Sequence, residues 1–328
     1  MSISSLLSAM PGAISQGVLW GVMVLGLYIT FKVLDYADLT VDGSFATGGA
    51  VSAILIVNGW DPFLCLLISF LSGMVAGLST GFLSTKVKIP PILAGILTQI
   101  ALYSINIRIM GKANIPLLKV ETAFSKIQTL LESIFKTTID KNLVSIIFGA
   151  IIVLIIVFVL YWFFGTELGS AIRATGNNEY MIRALGVNTD ITKILGLMFS
   201  NGLVALSGAM VAQNQGYADV GMGTGAIVIG LAAVIIGEVI FGRRFSFAYR
   251  LMSVVFGSII YRIIITIVLQ LGFKSTDLKL LTAILVAIAL SIPVIQQKIR
   301  ERFGKQIKPE NNDSDDNDNE NVASEVKE

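Results

Sequence analysis

The chain of 328 residues contains no histidine and only one cysteine, Cys65. Without histidine it cannot build a Ser–His–Asp or Cys–His nucleophile system, a histidine-ligated zinc site or a histidine proton relay. The single cysteine excludes an internal disulfide. The P-loop pattern G-x-x-x-x-G-K-[ST] is also missing, so the chain does not bind ATP through a P-loop of its own. We therefore expect no catalytic residue, no cofactor or metal site, and a protein that is not itself an enzyme.

Charged residues are scarce as well. They make up 14% of the chain, against 54% hydrophobic residues, and the mean hydropathy is +0.79. A soluble domain of this length does not bury so much apolar surface. Residues 143–164 carry no charge and exceed the roughly 20 residues that cross a bilayer as a helix. The composition predicts an all-α polytopic membrane protein that contacts the lipid bilayer and no nucleic acid.

The lengths of the apolar runs predict about nine transmembrane helices. The second is short and follows the polar residues DLTVDGSF, which suggests a broken helix. Pro91 stands in the first turn of the fourth, where proline is tolerated. The predicted spans are 14–34, 44–58, 62–85, 91–107, 143–164, 191–213, 222–241, 248–272 and 279–297.

The distribution of Lys and Arg in short loops sets the expected orientation. One side of the predicted bundle carries most of these residues, and the short loops of the other side carry only Lys274 and Lys279. Loop 108–142 on that second side is also basic, but a longer loop weighs less in this rule. We therefore expect the N-terminus outside and the C-terminus inside. The basic residues on the predicted cytoplasmic side are Lys86, Lys88, Arg173, Arg183, Lys193, Arg243, Arg244, Arg250, Lys298, Arg300, Arg302, Lys305 and Lys308.

Two segments outside the spans have a character of their own. In the external loop, residues 121–137 place apolar side chains on one face of a helix, which either covers the mouth of the bundle or docks an external partner. The chain ends in 309–328, rich in Asn, Asp and Glu, which we expect to be a disordered cytoplasmic tail after a transmembrane domain of 1–308. The apolar face consists of Phe124, Ile127, Leu131, Ile134 and Phe135.

The sequence also contains an internal resemblance between 42–48, DGSFATG, and 219–225, DVGMGTG. Both have Asp, then Thr-Gly five residues later, then an apolar helix of small residues. These helices are the second and seventh spans, so they run in opposite directions. The pattern is typical of an inverted repeat, with halves at about 14–107 and 191–297. Such repeats place the substrate path at their interface, near discontinuous helices.

Acidic residues gather where the first span ends and the second begins: Asp35, Asp38 and Asp42. Ionisable groups at membrane depth are costly and often functional. For Asp42 and Ser44 we favour a cap on the N-terminus of the second span, because a helix that begins inside a membrane cannot use water for its first amides. A cap there can still shape a pore. The predicted path residues are Asp38, Thr40, Asp42, Gly43, Ser44, Phe45, Thr47, Asp219 and Thr224.

Two more charges fall within predicted spans. Glu238 lies near the inner end of the seventh, within reach of Arg243 or Arg250, whereas Arg262 lies near the middle of the eighth with no obvious partner. Each must face protein or water instead of lipid. Structural ion pairs are the favoured interpretation of both.

The polar segment 166–190, TELGSAIRATGNNEYMIRALGVNTD, separates two apolar runs on the predicted cytoplasmic side. It resembles the coupling segment of ABC importer permeases of the branched-chain amino acid and ribose type, whose pattern is G-x-x-x-R-A-x-G-x-N followed by a second Arg and Gly-[IV]-N. Ile182 stands where this family usually has Ala. The resemblance implies that a short helix here fits a cleft on a separate ATPase. The matching residues are Gly169, Arg173, Ala174, Gly176, Asn178, Arg183 and Gly186.

Further matches extend this resemblance over nearly the whole chain. The segments 39–45, 236–242, 257–262 and 277–280 are most similar to the subgroup linked to uptake of tyrosine or tryptophan. The resemblance implies a permease that pairs with a second copy and binds a cytoplasmic ATPase dimer, which holds the ATP. It also implies an external solute-binding protein that delivers a small solute, an amino acid by preference, to a permease in the bacterial cell membrane.

Three alternatives remain at this point. An ion-coupled secondary transporter fits the repeat and the Asp cluster but leaves the 169–188 motif unexplained. A membrane scaffold or enzyme is the next, although the chain has no evident nucleophile–base pair. Without the resemblance, 166–190 is also compatible with an ordinary polar loop whose arginines follow the positive-inside rule.

Overall fold

Long apolar helices dominate the computed structural model, which describes residues 3–118, 120–241 and 246–271, together with 280, 282–284, 286–288 and 291. Six helices are long and apolar enough to cross a membrane, and two further apolar helices are shorter. The elements in chain order are α1 (Ile3–Tyr28, continued by a π-helical turn, Ile29–Val33), α2 (Val41–Val57), α3 (Pro62–Thr85), α4 (Pro91–Met110), β1 (Asn114–Pro116), α5 (Ala123–Phe135), α6 (Lys141–Gly165), α7 (Glu167–Asn177), α8 (Glu179–Ala184), α9 (Thr189–Gln215), β2 (Tyr217–Asp219), α10 (Ala226–Phe241) and α11 (Phe247–Gln270).

Eight of these helices overlap the first eight predicted spans, although α1 begins at Ile3, well before the predicted start at 14. The short members are α2 and α10, the second and seventh spans. The seventh begins at Ala226, four residues later than predicted from 222, because the preceding residues form turns. The ninth span, 279–297, falls mostly outside the described residues, as does the tail 309–328. The count of nine and the orientation therefore stay predictions.

Side chains just before the helices specify where several of them begin. The Asp61 carboxylate accepts hydrogen bonds from the Phe63 and Leu64 amides, and Pro62 occupies the first position of α3. Asp140 accepts in the same way from Asn142 at the start of α6. These caps use amides that have no partner within the helix, and proline at the first position lacks the amide altogether.

The bundle is built around α1 and α9, which bury 83% and 72% of their apolar stretches, whereas α4 buries only 28%. Close contact between α3 and α9 depends on small residues. A Cβ on Gly77 would overlap the backbone carbonyl of Leu197. Small residues at helix contacts are the usual means by which membrane helices approach closely.

The expectation of a purely helical protein is wrong in one detail. β1 and β2 form a short antiparallel pair, in which Ile115 is opposite Ala218. The Leu117 amide then donates to the Gly216 carbonyl at 2.7 Å. These bonds join the predicted external loop to the segment that follows α9. They also give the backbone groups of the loop hydrogen-bond partners outside a helix.

The amphipathic segment predicted at 121–137 is α5, whose N-terminus is also fixed to the bundle. The Ala123 amide donates to Gln213 of α9 at 2.9 Å, and the buried Phe124 ring meets Phe148 edge-on. Lys126 bonds Asp61 at 2.6 Å, and that hydrogen bond holds the pKa of Asp61 below its usual value. Ile134 at the far end remains 63% exposed, and the side chain of Phe135 lies outside the description.

Glu238 forms an ion pair, as the sequence analysis favoured, whereas Arg262 has a contact of another kind. Glu238 pairs with Lys32 at 3.3 Å, on the π-helical turn after α1, and Arg243 is not among the described residues. The guanidinium of Arg262 lies over the Trp20 ring at 4.0 Å, and within the described part of the chain it forms no salt bridge. The ion pair expected for Arg262 is therefore replaced by a cation–π contact, which holds its charge against protein.

We predict that Gly77→Leu destabilises the purified protein by about 1–3 kcal/mol or more, because the added side chain forces α3 away from the α9 backbone. Gly165→Leu is the matched control, since a Cβ at Gly165 meets nothing within 4 Å. Thermal unfolding in detergent measures both. An equal loss of stability in the two variants would contradict the close packing of α3 on α9.

Candidate functional site

The two short helices begin inside the bundle. Gly202 is the central residue of α9, and its neighbour Asn201 accepts a hydrogen bond of 2.6 Å from Ser44 in the first turn of α2. The start of α2 is therefore level with the middle of a full-length span. The first turn of α10 lies beside Asp42. Both helices thus expose their first amides at a depth where water is scarce, and protein groups must satisfy them.

Asp38 lies just before α2. Its fully buried carboxylate accepts hydrogen bonds from the Thr40 amide at 2.8 Å and from the Asn201 side chain at 2.7 Å. The hydroxyls of Thr40 and Thr80 are 2.6 Å apart, which extends the network to α3. The buried polar groups of this network are tolerated because each one is paired.

Asp42 caps a helix, but not the one that the sequence analysis named. Its carboxylate accepts from the amides of Gly225 and Ile227, both at 2.9 Å, and so caps α10. Ser44 is no cap either, because its hydroxyl donates to Asn201. The correction has a physical reason: Asp42 is the second residue of α2 and not the residue before it, and its carboxylate meets the first amides of the helix that faces it.

The second half of the chain contains no equivalent cap on α2 at the matching position, Asp219. Asp219, the counterpart of Asp42 in the sequence repeat, accepts from the Gly221 amide at 2.7 Å and from the Asn114 side chain at 3.4 Å. It holds the turn that precedes α10 and the strand pair. The matching sequence positions thus have different roles.

A cavity of about 260 Å³ lies between α4, the first turns of α2 and the turn before α10. Of the predicted path residues, Asp42, Gly43 and Thr224 line it. The others that lie at the start of α2 are buried in protein, and the Phe45 ring packs on Trp20 with centroids 4.9 Å apart. These packed residues are Asp38, Thr40, Ser44, Phe45 and Thr47.

Sequence reasoning missed the α4 wall of this cavity, which consists of Gln99, Ile100, Tyr103 and Asn106. The signal that was available is the presence of polar side chains within a predicted span. In lipid such groups are unfavourable, so a span that carries several of them faces protein, water or a partner.

The polar segment 166–190 folds into α7 and α8. Thr166 caps α7 through the Gly169 amide, and Asn178 caps α8 through the Met181 amide at 3.0 Å. A Cβ on Gly176 would overlap the Val33 carbonyl, so glycine lets α7 touch the end of the first span. Ala174 is half-buried on α7, and Gly186 is in the turn after α8.

The two arginines of the motif have different environments. Arg183 donates to Glu179 and to the Thr189 hydroxyl, both at 2.7 Å, and Lys193 donates to Glu179 at the same distance. Burial raises the pKa of Glu179, but these hydrogen bonds outweigh it and the net pKa lies below the usual value. Arg183 therefore anchors α8 to α9, whereas Arg173 is exposed and lies 5.6 Å from the Phe247 ring centre.

The outer surface of α7 and α8 carries large side chains that the motif does not include. Tyr180 is 84% exposed and Leu185 is 71% exposed, although both flank a firmly hydrogen-bonded turn. Ile182, the departure from the family pattern, points inward and is buried. A rigid polar segment with protruding aromatic and aliphatic groups is suited to docking another protein. We call the exposed residues Leu168, Tyr180, Met181 and Leu185 the coupling surface.

Comparison with known proteins agrees with this architecture. A protein family described as branched-chain amino acid transport system, permease component, matches residues 10–290. The chain belongs to this family. It is therefore a transport permease of the ABC import type and a multi-pass protein of the cell membrane. Family membership favours this interpretation over an ion-coupled transporter. Permease components are not themselves enzymes, and import systems of this type work with an ATPase and a binding protein.

Individual relatives cover most of the chain. The tyrosine transport system permease protein of Clostridioides difficile is 39% identical over 301 residues, which is 92% of this permease and 97% of that protein. A probable branched-chain amino acid transport permease protein of Methanocaldococcus jannaschii is 25% identical, covering 67% and 70%. The ribose import permease protein of Haemophilus influenzae is 27% identical, covering 65% and 64%.

We predict that Asp42→Ala lowers the free energy of unfolding by about 1–2 kcal/mol, because the first amides of α10 lose their acceptor. Asp42→Asn should lose less, since its amide oxygen still accepts. Asp219→Ala is the matched control and should have the smallest effect. Thermal unfolding in detergent ranks the three variants, and a larger loss for Asp219→Ala than for Asp42→Ala would contradict the cap across the two halves.

Proposed function

We propose that this permease is the membrane subunit of an importer that moves an amino acid into the cytoplasm, and that a separate ATPase drives it by docking on α7 and α8. The coupling surface carries the proposal. Transport against a gradient needs free energy, and the chain contains no P-loop to supply it. The predicted cytoplasmic orientation of 166–190 makes this segment accessible to such a partner.

The contacts of the coupling segment support a mechanical role. On one side, Gly176 of α7 abuts the backbone of Val33 and Leu34. On the other, Arg183 of α8 donates to Thr189 of α9, and Lys193 of α9 donates to Glu179 of α8. A displacement of α7 and α8 therefore acts on the end of the first span and on α9 together.

The end of the first span also contacts α9 close to the start of α2. The Leu34 side chain touches Gly196 of α9, and four residues further along the chain Asp38 bonds Asn201 of the same helix. Closure of an ATPase dimer would shift these elements relative to α10, whose cap is Asp42. We propose that the starts of α2 and α10 are the elements that switch between outward-open and inward-open states.

For the solute, the likeness to the Clostridioides difficile permease supports an aromatic amino acid, with L-tyrosine as the first to test. That relative is aligned over nearly its whole length. The subgroup motifs at 39–45 and 236–242 point in the same direction. Selection of the solute is shared with an external binding protein, which we propose to dock near α5, where Leu118, Leu130 and Ile134 are exposed.

We also propose that two copies of the permease assemble side by side. α4 is the least buried of the long apolar helices in the described part of the chain, yet it carries Gln99, Tyr103 and Arg108. Lipid is a poor environment for these groups. A second copy placed against α4 would cover them and enclose a path between the two cavities.

The experiment is affinity purification from native membranes in mild detergent, with mass spectrometry of the proteins that co-elute. We expect a stoichiometric P-loop ATPase. Tyr180→Glu and Arg173→Glu should each reduce the recovered ATPase about tenfold, the size expected for a central interface contact, because a negative charge is placed on the docking face.

Ile134→Glu is the control for these variants, since it places the same charge on an exposed residue at the predicted external side. It should leave ATPase recovery unchanged. All three variants should insert and unfold like the wild type. Normal ATPase recovery with Tyr180→Glu and Arg173→Glu together would contradict the coupling role of α7 and α8.

A further inference from the structure

Asn106 is the most unusual polar residue of the described structure. It lies in α4, its side chain is fully buried, and neither its amide nitrogen nor its amide oxygen has a hydrogen-bond partner among the described residues. An unpaired buried polar group costs about 1–3 kcal/mol, and Asn106 has two such atoms. Such a group in a native protein calls for an explanation, and one explanation is another molecule that pairs with it.

Asn201 of α9 shows what a structural asparagine looks like in the same bundle. Its amide donates to Asp38 at 2.7 Å and to the Leu197 carbonyl at 3.0 Å, and it accepts from Ser44 at 2.6 Å. Both residues are fully buried. The fold therefore satisfies one asparagine completely and leaves the other with its hydrogen-bonding capacity unused.

Asn106 is one of the residues that line the 260 Å³ cavity, together with Gln99, Tyr103, Thr224 and Asp42. The cavity is slightly smaller than the roughly 300–1,000 Å³ of drug-sized ligand pockets, which suits a solute of amino-acid size. Its walls offer amide donors and acceptors, two hydroxyls and one carboxylate.

We propose that this cavity is a solute-binding site within the path, and that Asn106 is its specificity-determining contact. An amino acid presents an acceptor and a donor, its carboxylate and its ammonium group. An asparagine amide donates to the first and accepts from the second, and the Asp42 carboxylate attracts the ammonium group. Gln99 and Tyr103 complete the polar wall. The inference rests on the proposed function and adds a contact residue and a solute class to it.

The first test compares Asn106→Leu with Asn201→Leu in the assembled transporter, with uptake of L-tyrosine as the probe. Asn106→Leu should raise KM at least about tenfold, since contacts to the solute are lost. Its thermal unfolding should be unchanged or shifted upward, because two unpaired polar atoms are removed. ATPase recovery should remain normal. Asn201→Leu should instead lose stability, since Asp38 and Ser44 are left without a partner.

The outcome separates binding from structure. A loss of stability or of ATPase recovery in Asn106→Leu would show that its partner is protein, and would overturn the site while leaving the proposed function intact. Unchanged KM would overturn it as well. Failure of the wild-type permease to recover any ATPase would instead count against the proposed function.

The second test uses no transport assay. Cys65 is fully buried and is replaced in a Cys65→Ser background, into which Gln99→Cys, Tyr103→Cys and Phe158→Cys are introduced singly. A membrane-impermeant methanethiosulfonate bearing a quaternary ammonium should label the first two variants. The Phe158→Cys variant should stay unlabelled, although Phe158 is 71% exposed, because α6 faces lipid at that position.

L-Tyrosine should protect the Gln99→Cys and Tyr103→Cys variants from labelling. Protection by a different standard amino acid would keep the site and change the solute. Absence of labelling at both positions, or labelling that no amino acid reduces, would overturn the proposal. Either result is readable in the permease complex whether or not L-tyrosine is transported.

Discussion

A helix that begins inside a bilayer must find acceptors for its first amides within the protein. This constraint organises the centre of the permease. Two short helices, α2 and α10, begin level with the middle of α9. The carboxylate of Asp38 accepts from the amide of Thr40 just before α2, and that of Asp42 accepts from amides at the start of α10. One of these acceptors belongs to the helix opposite, so the two predicted halves of the chain are joined where α2 and α10 begin.

The start of α2 is also connected to the segment 166–190. The end of the first span is in contact with Gly176 of α7 and continues to Asp38 within a few residues. A partner that moves α7 therefore acts on the element that holds the start of α2. The same arrangement leaves a cavity beside Asp42, and Asn106, whose side-chain amide is unpaired among the described residues, lines it.

Much of this architecture is readable from the sequence, because apolar length and small-residue patterns reflect local physics. The first eight spans and the short second helix follow from it, whereas a helix within 166–190 is implied by the family resemblance. Asp42 shows the limit: its cap could be expected, but the helix it caps lies 183 residues further along the chain. Such long-range contacts leave no local pattern. The cation–π contact of Arg262 with Trp20 and the unpaired amide of Asn106 are undetectable for the same reason.

The most direct measurement is photo-crosslinking in native membranes from a photoreactive residue placed at position 180 of the otherwise intact permease. Tyr180 is 84% exposed, so the replacement should not disturb the fold. The account predicts a crosslink to a P-loop ATPase, identified by mass spectrometry, and no such product from position 134 on the predicted external side. A crosslink to the ATPase from position 134 and none from position 180 would contradict it.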